Sequence, residues 1–221
     1  MHEDAISIQE TLAETLAPQT DDVIDAMDER ADAEGFPTVG PAVGGWLRFY
    51  ARAIDAARIF EFGSGYGYSA YWMAPAVPAD GEIVLTEVDA DELEDARGNL
   101  AAGDYADCAE FEHGDAIETI ERYDGPFDLV LIDNEKTRYR EAFEAVREKV
   151  ASGGIVVADN AIDGGGIDAV AVRELLTGER DAGSDTSEGI ASFVRAIHGD
   201  PRFSASLLPV GEGVVVALRT D

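Results

Sequence analysis

Lysine is almost missing from this chain. Its 221 residues include only Lys136 and Lys149, against 14 arginines and 46 acids, for a formal net charge of -30. Polyanion binding runs on clustered Lys and Arg, so this balance argues against a broad phosphate-contacting face. The nearest approach to a basic cluster is Arg138 with Arg140. Cysteine is scarcer still: Cys108 stands alone, which excludes an intrachain disulfide and gives no cysteine metal-ligand spacing. No apolar run approaches the ~20 residues of a membrane span. The opening "MHEDAISIQE" is acidic and has no apolar signal-peptide core. These absences predict a soluble, cytoplasmic protein that engages neither membrane nor nucleic acid. A concentrated acidic tail is missing as well, because the acids spread from Glu3 to Asp221. Interspersed acids with hardly any lysine are the pattern expected of a surface adapted to salt. Near molar salt the Debye length falls to about 3 Å and screens the self-repulsion.

What is present is a globular composition, 46% hydrophobic, long enough for one domain with a sizeable core. Helical spacing runs over 4–17 and 20–34 and stops at "EGFPTVGP". A helix then fits 42–57, with Val43, Leu47, Tyr50, Ala51 and Ile54 on one stripe. After it, short apolar runs alternate with helical segments. "ARIFEF" leads into a glycine turn and a helix. The strands "EIVLTEVD" (82–89), "AEFEHGD" (109–115), "FDLVLID" (127–133) and "GIVVADN" (154–160) are interleaved with helices at 89–103, 116–123 and 139–153. That alternation predicts a mostly parallel sheet covered on both faces. "RFSASLLPV" and "GVVVALR", joined by Gly211-Glu212-Gly213, read as a terminal β-hairpin. The expected fold is α/β, a doubly wound seven-stranded sheet with an antiparallel C-terminal strand. A loop-like insertion rich in Gly and Asp occupies 161–190, with Gly164-Gly165-Gly166 as a candidate hinge or plain surface loop.

Doubly wound sheets bind ligands at the carboxyl ends of their strands. After the first strand come Glu61, Gly63, Gly65 and Gly67, a turn that lets backbone approach a ligand near a helix N-terminus. The spacing G-x-G-x-G is not the dinucleotide fingerprint G-x-G-x-x-G, and a tight strand-to-helix turn explains it equally. Glu87 closes the second strand, where an acid can accept ribose hydroxyls or be an ordinary solvated side chain. Asp115 follows the third strand and suits either an exocyclic amine or a helix N-cap. Asp133 follows the fourth strand, and Asp159 and Asn160 the fifth. If those strands are neighbours, two carboxylates and an amide oxygen converge. That donor set suits Mg²⁺ or Mn²⁺.

Taken together, "EFGSGYGYSA", "LTEVD", "FDLVLIDNEKTRY", "GGIVVADN" and "DPRFSASLLPVGEGVVVAL" resemble the cation-dependent class I S-adenosylmethionine O-methyltransferases, the group with catechol and caffeoyl-coenzyme A O-methyltransferases. The likeness runs from about Pro37 to the C-terminus. It implies that Glu61, Gly63 and Ser69 hold the methionine part of S-adenosyl-L-methionine, with Val39 and Gly40 closing over it and Gly65 also binding the cofactor. It implies Glu87 at the ribose, Asp115 with Ala116 at the adenine, and Asp133 bordering the cofactor while serving as a metal ligand with Asp159 and Asn160. The divalent cation would be Mg²⁺, with Mn²⁺ or Ca²⁺ as alternatives, and Lys136 would be the general base. Arginine stays protonated and cannot take that role, which accounts for a lysine kept here. The resemblance further implies a homodimer built on the N-terminal helices (1–36). The implied acceptor is a small hydroxylated molecule of the vicinal-diol type. Pro209 stands where animal catechol enzymes carry a substrate-contacting glutamate, and Glu135 where the family often has Asp. Alternatives are a transfer-RNA hydroxyuridine acceptor, a nicotinamide oxidoreductase, and a cofactor-binding protein without catalysis. His113 and His198 are weaker candidates for acid–base work, His198 fitting a helix C-terminus better.

Overall fold

The computed structural model describes residues 11–162 and 166–221. Most of the expected first helix and the positions Gly164 and Gly165 lie outside those residues; 11–15 are helical. Helix α1 (Asp22–Glu34) starts where Asp21 accepts from the backbone N–H of Val23 and Ile24, and stops at Gly35 with φ 66°. This is the usual pairing of an Asx N-cap with a left-handed glycine C-cap. Helix α2 (Gly40–Ala53) buries Val43, Leu47 and Ala51, three of the five stripe positions.

Seven strands follow: β1 (Arg58–Phe62), β2 (Glu82–Glu87), β3 (Ala109–His113), β4 (Phe127–Ile132), β5 (Val150–Ala158), β6 (Phe203–Leu208) and β7 (Val214–Arg219). Between them lie α3 (Tyr68–Met73), α4 (Ala90–Ala102), α5 (Ala116–Ile120), α6 (Tyr139–Val146), α7 (Ala169–Thr177) and α8 (Asp185–Gly199). The strand order is β3-β2-β1-β4-β5-β7-β6. β1 to β5 run parallel, and β7 is antiparallel to both its neighbours. The hairpin therefore does not extend the edge in sequence order. Its second strand slots in beside β5.

The two faces hold separate cores. One packs Phe60, Phe127, Phe143 and Phe193 beneath α5, α6, α7 and α8. The other packs Leu47, Tyr71, Trp72 and Leu100 beneath α1 to α4. Lys149 closes the turn before β5 by donating to the carbonyls of Ile120 (2.7 Å) and Tyr123 (2.8 Å). No helix among the described residues is long and apolar enough to cross a membrane.

Several boundaries differ from the sequence reading. The helix expected over 139–153 ends at Val146, and β5 begins at Val150 rather than 154. Val150 already pairs with Phe127, and a register shift between Phe127 and Leu129 absorbs the extra residues. The helix expected over 116–123 ends at Ile120. The 161–190 stretch, expected as a loop-like insertion, carries α7 and the first turns of α8. Val172, Leu175 and Ile190 from it are buried in the core.

Candidate active site

The strand order reverses between β1 and β4, so their carboxyl ends open a cleft. Register decides what meets there. Ile132 pairs with Ala158, so Asp133 and Asp159 emerge side by side from neighbouring strands. Their backbones continue the ladder: Asp133 N donates to the Phe62 carbonyl (2.9 Å) and Asp159 N to that of Ile132 (3.2 Å). The first glycine of the turn is required by this closeness. Gly63 has φ 82°, and a Cβ there would stand 2.6 Å from the Asp133 carbonyl oxygen.

Two adjoining cavities fill the cleft. The first, about 300 Å³, is lined by Val39, Gly63, Gly65, Ser69, Glu87, Asp133, Lys136, Asp159, Asn160 and Glu212, among others. The second, about 250 Å³, is lined by Gly63, Glu87, Asp115, Ala116, Asp133 and Arg138, among others. Gly63, Glu87 and Asp133 belong to both, so the cleft is continuous. Of the residues expected at a cofactor, Gly40 and Glu61 are not among the lining residues; Gly40 opens α2 with φ 69°. Glu61 is wholly buried, and its Oε1 accepts from Ser69 Oγ. Its Oε2 is buried without a hydrogen-bond partner. His113 and His198 line neither cavity; His113 Nε2 lies 3.1 Å from the Val88 carbonyl oxygen.

Glu87 accepts three backbone N–H groups: Gly65 (2.9 Å), Val88 (2.7 Å) and Asp89 (3.1 Å). It thereby ties the glycine turn to the end of β2. Asp115 takes the cap role and also lines the second cavity. It caps α5 through the Ile117 N–H (2.8 Å), and its other oxygen accepts from Arg138 Nη1 (2.6 Å). Burial opposes its charge, but the Arg138 and backbone hydrogen bonds outweigh it and hold the carboxyl below its ordinary range.

Lys136 is at the centre of the polar end. Its Nζ donates to Asp133 Oδ1 (2.9 Å), to the Tyr139 hydroxyl (2.8 Å) and to Asn160 Oδ1. The Tyr139 hydroxyl also lies 3.1 Å from the Asp159 carbonyl oxygen. The three expected metal ligands thus line one cavity, two of them on one ammonium. Asp159 Oδ1 is buried without a partner. Among the described residues, no group of three or more His, Cys, Asp or Glu side chains is arranged to hold a metal ion. Here the third oxygen donor is an amide. Two members escaped the sequence reading. Tyr139 carried a readable signal, three residues beyond Lys136 on a helical turn. Glu212 carried none, because nothing local says that its turn reaches Asn160.

Burial dominates the electrostatics. It pushes the Glu61 carboxyl up to about 8, with Ser69 opposing. It pushes Asp159 up to about 7, with the Asp133 charge adding to the effect. Burial also raises Asp133, with Lys136 partly offsetting it. Groups raised in this way bind protons more tightly folded than unfolded. Their contribution is complete below the unfolded carboxyl values near 4 and is lost as pH climbs through 7 and 8. The ligand-free protein in chelator is therefore expected to lose thermal stability from pH 5 to pH 8, by up to about 1.4 kcal/mol per group per pH unit. Asp200, lowered to about 2 by Arg202, changes only below that window. A melting temperature flat from pH 5 to 8 at constant salt would contradict these burial effects.

The O-methyltransferase family model matches residues 27–220. A catechol O-methyltransferase of Niastella koreensis is 30% identical over 181 residues, 79% of this chain and 81% of that protein. Caffeoyl-CoA O-methyltransferase 2 of Populus trichocarpa is 26% identical over 185 residues, 80% of this chain and 72% of that one. The O-methyltransferase of tomaymycin synthesis from Streptomyces achromogenes, solved in complex with SAM, aligns with a TM-score of 0.85 at 25% identity over 100% of both chains. This likeness displaces the nicotinamide alternative. Fold and relatives agree: the chain belongs to the O-methyltransferase family and is an S-adenosylmethionine-dependent O-methyltransferase of the catechol and caffeoyl-CoA type.

Proposed function

We propose that the protein methylates one hydroxyl of a vicinal diol on a small molecule, with Lys136 taking the proton and a divalent cation beside it. The observation that carries this reading is the meeting of Lys136, Asp133, Asp159 and Asn160 in the cavity that Ser69 and the glycine turn also line. The buried, partnerless Glu61 Oε2 fits the cationic methionine end of the cofactor. Glu87 stands midway along the cleft for the ribose, and Asp115 with Ala116 beyond it for the adenine. Val39 lines the first cavity.

A phenolic hydroxyl has a pKa near 10, so its nucleophilic form is scarce at neutral pH. In the proposed reaction the acceptor oxygen forms a bond to the methyl carbon while the carbon–sulfur bond breaks, its electron pair neutralising the sulfonium. The hydroxyl proton passes to Lys136 Nζ, where Asp133, Tyr139 and Asn160 accept from the resulting ammonium. Asp133, Asp159 and Asn160 would hold the cation; all-oxygen donors and the partnerless Asp159 Oδ1 suit Mg²⁺, with Mn²⁺ or Ca²⁺ as alternatives. When bound, such a cation supplies charge that stabilises the acceptor's oxyanion and orients it.

The transfer-RNA alternative gains no support from the arginines near the end of α8. Arg140, Arg147 and Arg202 each pair with a carboxylate. A homodimer belongs to the same proposal. Trp46 and Phe49 on α2, 41% and 58% exposed, are apolar surface it would cover, and a solution mass at twice the chain would support it. The deciding assay offers dihydroxyphenols and matched monophenols with labelled cofactor in high salt. Transfer is expected on the diols alone, abolished by chelator and restored by Mg²⁺. Equal transfer in chelator would remove the cation; none on any diol would remove the acceptor class.

A further inference from the structure

Asn160 stands between two opposite chemistries. On its inner side Lys136, a group that only donates, gives a hydrogen bond to Oδ1. On its outer side the Glu212 carboxylate, which in its ionised form only accepts, receives one from Nδ2. The amide's oxygen and nitrogen are nearly the same size, so packing alone does not choose which faces inward. Hydrogen-bond partners must. We propose that Glu212 is a positioning residue that holds the Asn160 amide with its oxygen, not its nitrogen, toward the cation site. This rests on the cation reading given above.

The backbone supports Glu212 in that role. Ala161 N donates to the Gly213 carbonyl (2.7 Å) and Ile162 N to that of Glu212 (2.9 Å), clamping the β6–β7 turn onto the segment after β5. Gly213, at φ 87°, permits this approach, since a Cβ there would run into the Ile162 side chain. Asn160 itself has φ 52°, a left-handed conformation that Asn and Asp tolerate better than most residues. With its backbone fixed at both ends, the plane of the amide is the freedom left to control. Lys136 is a poor permanent guide if it accepts and releases a proton in each turnover. Glu212 is a constant one. Partners that orient metal ligands from behind typically matter by about 10- to 100-fold in affinity.

The test titrates Mn²⁺ into the cofactor-bound protein by electron paramagnetic resonance and calorimetry, with no turnover involved. Glu212→Ala is expected to weaken Mn²⁺ by about tenfold or more, with cofactor kept saturating in every titration. Glu212→Gln, which still presents an oxygen to Asn160 Nδ2, is expected to stay within about threefold of the unaltered protein. Both variants remove the same charge, so the difference between them isolates orientation. In an Asn160→Asp background there is no nitrogen to turn inward, and removing Glu212 should then cost nothing. Mn²⁺ affinity unchanged in Glu212→Ala would overturn the role. So would equal losses in Ala and Gln, or the same loss in the Asn160→Asp background. Failure of the unaltered protein to take up Mn²⁺ at all would sink the cation reading, and the orienting role with it.

Discussion

Replacing Lys136 with arginine is expected to slow methyl transfer by about 10²-fold or more at pH 7.5, with cofactor binding intact. Arginine keeps the positive charge and has donors for Asp133, Tyr139 and Asn160, the three partners of the native ammonium. It cannot take up a proton. The defect should therefore shrink as pH approaches 10, where a phenolic acceptor ionises without help. Labelled-methyl transfer across pH, set beside calorimetric cofactor binding, separates the two effects. A variant with near-native turnover at pH 7.5 would remove the base. A defect that does not shrink with pH would make the lysine structural instead.

Asp159→Asn should split activity from stability. The carboxyl is 3% exposed, and burial with the Asp133 charge beside it lifts its pKa to about 7. At pH 8 the ligand-free protein thus holds an ionised Asp159 carboxylate buried beside Asp133, and an amide relieves that charge. Methyl transfer is expected to fall by about 10²-fold or more, the loss of several kcal/mol of transition-state charge stabilisation. Thermal stability at pH 8 in chelator should rise by on the order of 1–2 kcal/mol. At pH 5 the native side chain is already neutral, so the gain should vanish. A gain of equal size at both pH values would show that packing, not charge, was relieved. Retained activity would take Asp159 out of the catalytic group.

The parallel core of the fold was legible because its strands are short and apolar and alternate with helical segments. The meeting of Asp133 with Asp159 was legible only as a condition. Neighbourhood of β4 and β5 is a long-range fact, and the Ile132–Ala158 register supplies it. The end of α6 was misread because apolar residues keep helical spacing through Val146 and Val150, while pairing of Val150 with Phe127 draws the chain into the sheet. Glu212 was illegible for a similar reason. Gly-Glu-Gly reads as a turn anywhere, and only the insertion of β7 beside β5 brings it to Asn160. Asp115 shows the opposite case: of the exocyclic-amine acceptor and the helix N-cap offered for it, the cap is what local sequence could specify, and the side chain caps α5 from the cleft.

The scarcity of lysine has a practical side. Two side-chain ammonium groups serve the whole chain. One is held by the carbonyls of Ile120 and Tyr123, the other by the acceptors inside the first cavity. Amine-directed acylating reagents thus meet a surface with almost no side-chain targets, and the informative one is within the cleft. The extent of modification at residue 136, read by peptide mass, becomes a footprint of cleft occupancy that needs no label and no turnover.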